Sequence, residues 1–408
     1  MTLSRDAFAT IATDFFRQGG EARPIHHDAG RHRLVLGEGQ GPWSFVKLAD
    51  AQKEYEGAPP GERERVLARR FWSSLRSELN ASREALFARV LPRVRDLAWF
   101  SAVRRQVELE LGGDQAAIEE SLLPHRELNE ELAVHLVYEL PTSVMELSSD
   151  RLRAWDITFD ELYAKAVENL RARSKAPFEK PAPGVFVSPY HDSLDASRIV
   201  LTDAILALEL KGQPVALAPT HDILLVTGDQ DDDGLVAISG WGEEALLEPR
   251  AHCAVAMRLE DGAWKPWLPP REHPSWAKFR VLALQTMASA YTRQKEVLDA
   301  LLEANGHDIF VAGLRAFRSQ RGDIFTACAW TAGVEALLPQ TDRIDFVRVP
   351  PGGDTDTAEI WSTTFEVARK VVGSLMEASG DVPERWRVRG FPSPEQLEQM
   401  AKEGPVPE

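Results

Sequence analysis

The residues whose spacing most suggests chemistry are Asp229, Asp231 and Asp233, followed by Gly234 in the acidic run 229–234. Alternate carboxylates ending in glycine form the first half of a calcium loop, where oxygen ligands converge on one cation. The second half departs from that pattern. Its twelfth position is Gly240, where a bidentate glutamate is needed, and the run follows an apolar strand pattern at 223–226. The same carboxylates suit the first turn of a helix, where they complement the macrodipole. A calcium or magnesium site at Asp229, Asp231 and Asp233 is one expectation; an exposed loop or a helix start is the other.

A second group, His191, Asp192, His221 and Asp222, contains side chains able to act as acid and base or to activate a nucleophile. Ser188 and Asp195 lie beside the first two. No Gly-x-Ser-x-Gly elbow is present, and Pro189 follows the serine directly. His221 and Asp222 close a Pro219-x-x-Asp222 turn, in which aspartate can bond the turn's own backbone. His26, His27 and Asp28 with His32 could chelate a metal across a hairpin, but neighbours on a strand point to opposite faces. Cys328, inside the apolar run 325–330, reads as a small core residue. Glycines 37, 39 and 41 resemble a phosphate loop only superficially, because a strand pattern follows where a helix is required.

The bulk properties narrow the classes. A chain of 408 residues is too long for one ordinary core, so two or three domains are expected. A net charge of -16 argues against a general nucleic-acid binder and against a polybasic membrane anchor. The first eight residues carry charges where a signal peptide needs an apolar core. Only two cysteines occur, Cys253 and Cys328, so neither a disulfide framework nor a cysteine-rich zinc site is expected. A soluble cytoplasmic protein is the expectation.

The elements that would position these residues are legible in outline. Ser4 caps a first helix with Phe8, Ile11 and Phe15 on one face. Strands at 31–36 and 43–48 form a hairpin, and helices dominate 62–111 with a break at Leu91-Pro92. That helical stretch is rich in arginine, either as a docking face for an acidic partner or as solvated helix faces balanced by nearby glutamates. Paired strands are expected at 133–139 and 144–147. Thr158 and Glu161 make a capping box for a helix that buries Leu162, Ala166 and Leu170. The centre, 184–226, alternates apolar strands with one short helix. A hairpin at 254–259 turning on Asp261-Gly262 and a long helix at 275–305 open the last third. Strands at 309–317, 324–330 and 344–349, a helix at 365–378 and a proline-rich tail complete it.

Two segments echo each other. Residues 216–222 and 336–342 share Ala, Leu, Pro and Asp at the same offsets. A duplicated module and a shared turn solution both account for that. The pattern predicts an α+β protein of two or three mixed domains, with short antiparallel or mixed sheets packed by helices. Its domains fall at 1–112, 113–250 and 251–408.

The first 250 residues or so resemble a bacterial family known as domain of unknown function 1444. The carriers are the hairpin from Leu34-Val35-Leu36-Gly37 to Leu48, the 55–63 segment, and the 162–170 helix with Glu168-Asn169-Leu170. Asp195-Ala196-Ser197-Arg198 and the Pro219-x-x-Asp222 turn add to them. The family often has Arg-Asp where His221-Asp222 stands. The resemblance implies an intracellular α+β protein and brings no activity, cofactor or catalytic residue with it.

The leading functional expectation is a non-catalytic protein-binding or adaptor module, without cofactor, nucleic acid or membrane. Its partner would be another protein, met by sheet edges or by the arginine-rich helices. No oligomeric state follows. The alternative is a hydrolase using His191 or His221 with nearby carboxylates, with or without a divalent metal.

Overall fold

The computed structural model describes residues 3–404 apart from 20, 22, 37–43, 76–81, 141–143, 248–250, 320–323, 351 and 353–354. The fold is α+β and multi-domain, with several small antiparallel and mixed sheets. Its contacts divide into two units: Met1–Leu91 with Val137–Glu146, and Pro92–Leu136 with Leu147–Glu408.

In the first unit, Ser4 caps the helix Arg5–Gln18 by accepting from the Ala7 N–H. The buried face is Phe8, Ala9, Ala12 and Phe16; Ile11 and Phe15 flank it, half-buried. Phe71, from the helix Arg63–Leu75, meets Phe16 at 5.4 Å between ring centroids. These rings pack on a three-stranded antiparallel sheet, Ile25–Asp28, Arg33–Leu36 and Ser44–Lys47. The hairpin of the last two strands was expected and the first strand was not. The glycine turn 37–41 lies outside the described residues. The expected pairing after residue 132 is present, with Val137 opposite Glu146.

The helices break at Leu91-Pro92 as expected, but over a whole strand, Val90–Asp96, which leads into the helix Leu97–Leu111. Val94 faces an apolar core while Arg93 and Arg95 point the other way, a period-two alternation that a helical reading overlooks. Gly112, at φ 61, ends the helix in the left-handed region that glycine adopts freely.

The second unit is built on a six-stranded antiparallel sheet. Its order is Ala263–Pro266, Cys253–Glu260, Pro214–Thr220, Ile223–Gly228, Val185–Val187, Glu179–Ala182. The strands Cys253–Glu260 and Ala263–Pro266, beyond the boundary expected at 250, therefore belong to the central sheet. Backbone bonds between Cys253–Glu260 and Pro214–Thr220 join what a sequence division would part. The helix Asp232–Ala245 covers one face, with the long helix Trp276–Ala304, through Leu217, Leu225, Leu235, Ile238 and Phe279. Each such burial is worth roughly 1.5–3 kcal/mol.

The unit also contains two further four-stranded sheets. One has the order Phe310–Val311, Ala336–Pro339, Arg385–Val388, Met376–Ala378. The other runs Arg315–Arg318, Ile324–Thr331, Arg343–Arg348, Glu359–Thr364. Trp330, Ile344 and Phe346 pack beneath the helix Phe365–Val372 and the helix Pro394–Glu403. The latter replaces much of the expected proline-rich tail, and its Ser393 and Gln396 form a capping box.

The two echoing segments take different topologies, so the shared residues carry no duplicated module. Residues 214–228 form one hairpin in one sheet. Ala336–Pro339 and Arg343–Arg348 lie in separate sheets. Their aspartates differ too. Asp342 accepts from the Thr326 amide and hydroxyl, whereas Asp222 is exposed on its turn.

Candidate ligand-binding site

Strand Val90–Asp96 delivers Asp96 to the start of the helix Leu97–Leu111, and Arg293 of the long helix pairs with it. Asp96 is only 4% exposed, and burial pushes its carboxyl above the usual range against the pull of Arg293 and Arg95. Glu131 lies beside it. The Glu131 amide donates to Asn129 Oδ1 at 2.9 Å, and its carbonyl accepts from the Leu97 N–H at 2.7 Å. Its backbone is thereby locked to the helix start.

The Glu131 side chain is mostly buried, and among the described residues no hydrogen bond or ion pair reaches its carboxyl. Burial, then the charges of Glu130 and Asp96, push it up to about 7. A carboxyl perturbed in this way and lining a cleft is a recognised mark of a functional site.

That cleft is a chamber of about 580 Å³, within the range of small-molecule sites. One wall is a face of the long helix, where Arg280, Ala283, Leu284, Met287 and Ala290 recur at three- and four-residue spacing. The facing walls are Val255 with Pro266, Trp267 and Leu268, and the segment 382–384. The strand carrying Val255 is tied to the helix where the Ala254 amide donates to Thr286 Oγ1 at 3.0 Å.

Most of the charges around the chamber are engaged. Arg280 donates to both carboxylate oxygens of Asp342, at 2.9 and 3.0 Å. Glu384 Oε1 accepts from the amides of Ser379, Gly380 and Arg385. Asp96 has Arg293. Glu130, exposed, and Glu131, mostly buried, remain.

The residues singled out from sequence do not converge here. His191 is exposed, with φ 49, and Asp192 holds Arg198 through two 2.8 Å bonds. The Ala196 amide donates to the His221 carbonyl at 3.1 Å, so the two turns are neighbours. Their side chains diverge. The His221 ring is buried against His252, centroids 4.7 Å apart, and burial lowers the basicity of both, His252 to about 3. Both His252 ring nitrogens are buried without a hydrogen-bond partner among the described residues.

The acidic run takes its helix-start role. Asp231 caps the helix Asp232–Ala245 by accepting from Gly234, Asp233 lies in the first turn, and Asp229 accepts from Gln213. In the first unit, His27 faces Asp6 and His32, while His32 also meets Gln52 at 2.7 Å. Among the described residues no three His, Cys, Asp or Glu side chains gather as a metal site. Cys328 is buried in the core, its thiol pushed up to about 12 by burial. Several arginines of the 62–111 region are engaged by acids, Arg70 with Glu54, Arg104 with Glu119, and Arg105 with Glu108 and Asp381.

Sequence reading missed Asp96 and Glu131. Two faint signals mark them: the Arg-x-Arg-Asp alternation at 93–96, and the acidic pair Glu130-Glu131 directly before the apolar run 132–137. The fold and the chamber together define an α+β protein with a ligand-sized cavity. No family model, curated protein or solved structure matches the chain. Among the described residues, no helix is long and apolar enough to cross a membrane.

Proposed function

We propose that this protein binds a small, largely apolar organic molecule in the chamber beside Glu131, and that it works by holding that molecule. The carrying observation is the chamber itself, of about 580 Å³, with mostly apolar walls and with Glu131, whose carboxyl has no partner among the described residues, in its lining. A hydrolytic reading has less support. Ser188 donates its hydroxyl to buried Asp195 at 2.6 Å, and burial raises both cysteine thiols. The pair Ser275 and His273, at 2.6 Å, resembles a nucleophile and base. Ser275 is only 1% exposed, however, and its amide donates to the same ring nitrogen, a local contact just before a helix.

Titration with Nile red, a neutral dye that brightens in apolar surroundings, tests the reading. Saturable enhancement is expected, and Ala290→Trp, which fills the chamber, should remove it. Unchanged dye binding in a folded Ala290→Trp variant would sink the proposal.

A second reading, partner binding by a sheet edge, is favoured by strand Arg315–Arg318, all four residues of which are exposed. Phe317 stacks on Phe325 at 5.6 Å, giving an apolar anchor. An antiparallel second copy would set arginine against arginine, so the edge suits an acidic extended segment of another protein. A labelled peptide of alternating glutamate and valine should bind more tightly than its lysine counterpart. Equal or reversed affinities would count against this reading. The kinship of the first 250 residues with domain of unknown function 1444 remains part of the proposal, resting on 195–198 and the Pro219-x-x-Asp222 turn.

A further inference from the structure

We infer that the ligand of the chamber is an organic cation, an apolar body carrying a protonated amine, and that Glu131 receives the ammonium group. This rests on the chamber being a ligand site. It adds the ligand's charge, which follows from the polar groups already engaged. Arg280 is held by Asp342, Arg293 by Asp96, and Glu384 by three backbone amides. No cation among the described residues answers Glu131, and its neighbour Glu130 is exposed beside it. The charged side chains left for a ligand are thus two adjacent carboxylates of one sign.

An anion entering this chamber would meet them without compensation. A neutral ligand would leave Glu131 desolvated and unpaired, at the cost of a buried charge without a partner. An ammonium supplies up to three donors and the missing positive charge, while its apolar body lies along Ala283, Met287 and Ala290. The backbone that carries the carboxyl stays fixed, because the Glu131 amide and carbonyl are bonded to Asn129 and Leu97. A partly desolvated carboxyl on a rigid mount is a receptor that needs little reorganisation to bind.

Three probes of nearly equal size separate the cases by calorimetry at pH 8.5: 4-phenylbutylamine, 4-phenylbutanol and 4-phenylbutanoate. The amine should bind about 10- to 100-fold more tightly than the alcohol, the ratio of one charge-assisted hydrogen bond, with the carboxylate weakest. Glu131→Gln should bring the amine and the alcohol to the same level, by weakening the amine and relieving the alcohol of the unpaired charge. Glu130→Gln, at an exposed position, should cost the amine about threefold or less. If amine and alcohol bind alike and Glu131→Gln alters neither, the ammonium inference is overturned while the chamber survives as a site. If Ala290→Trp affects none of the probes, or none binds, the chamber reading itself falls.

Discussion

Two polar knots in the second unit make a useful contrast, because one is saturated and the other is not. Arg198, 1% exposed, gives its Nε–H to Ser174, its two terminal nitrogens to Asp192, and its flat face to Tyr190 at 3.7 Å. Asp195 beneath it accepts from the Ser188 hydroxyl and from the amides of Tyr190 and Asp192. Glu131 is also largely buried, yet nothing among the described residues bonds to its carboxyl. Satisfied buried charges hold a fold together, whereas one left over on a cavity wall is available to a ligand. Ser188, Asp192 and Asp195, from the more enzyme-like stretch of the sequence, are among the saturated ones.

The largest effect is expected where saturation is broken. Arg198→Met strands Asp192 and the buried Asp195, and should destabilise by about 3–5 kcal/mol in urea unfolding. The protein that remains folded should keep its affinity for chamber ligands. A loss of affinity at full occupancy of the native state would show that the two knots are coupled.

Glu131→Gln should act in the opposite direction. The folded carboxyl titrates near 7, above its ordinary 4.5, so the native state binds more protons than the unfolded chain between those values. Stability is therefore lost as pH rises from about 4.5 to 7. Removing the charge should restore up to about 3 kcal/mol at pH 8 and flatten that slope, the order set by the size of the shift. A destabilised variant would mean that Glu131 is saturated after all.

His252 offers an intermediate case, buried and unsatisfied but away from the chamber lining. Its folded basicity is lowered to about 3, so its stability contribution is present above its ordinary 6.5 and is lost as pH falls toward 3. His252→Phe keeps the ring and removes two orphaned nitrogens. It should shift the acid-unfolding midpoint downward and change stability at pH 7.5 by about 1–2 kcal/mol. An unchanged midpoint would assign acid sensitivity to other groups.

The smallest effect is expected at the acidic run, where Asp231 is occupied as a helix cap and both Asp229 and Asp231 are held in ion pairs. Calcium, magnesium or EDTA should move the melting temperature by no more than about 1 °C, since a native-state ligand would raise it with concentration. A saturable rise with one cation would reopen Asp229, Asp231 and Asp233 as a metal site.

Much of the local structure was readable from residue order. The Thr158–Glu161 capping box, the Asp261-Gly262 hairpin and the helix up to Gly306 all occur as the spacing predicts. They rest on contacts within a few residues, which sequence displays directly. The strand Val90–Asp96 was obscured by Pro92 and by flanking helices, and the helix Pro394–Glu403 by surrounding prolines.

Composition and short-range pattern sufficed for an acidic α+β chain of more than one domain, and for where most helices begin and end. They could not decide which carboxylates would be used up. Asp192 finds Arg198 six residues away, within range of local reading, but Asp96 finds Arg293 across 197 residues. Glu131 is distinguished by its burial and by having no such partner among the described residues. Whether a charge is answered depends on what folding brings alongside it and how much water it removes, and neither quantity is carried by the order of residues alone.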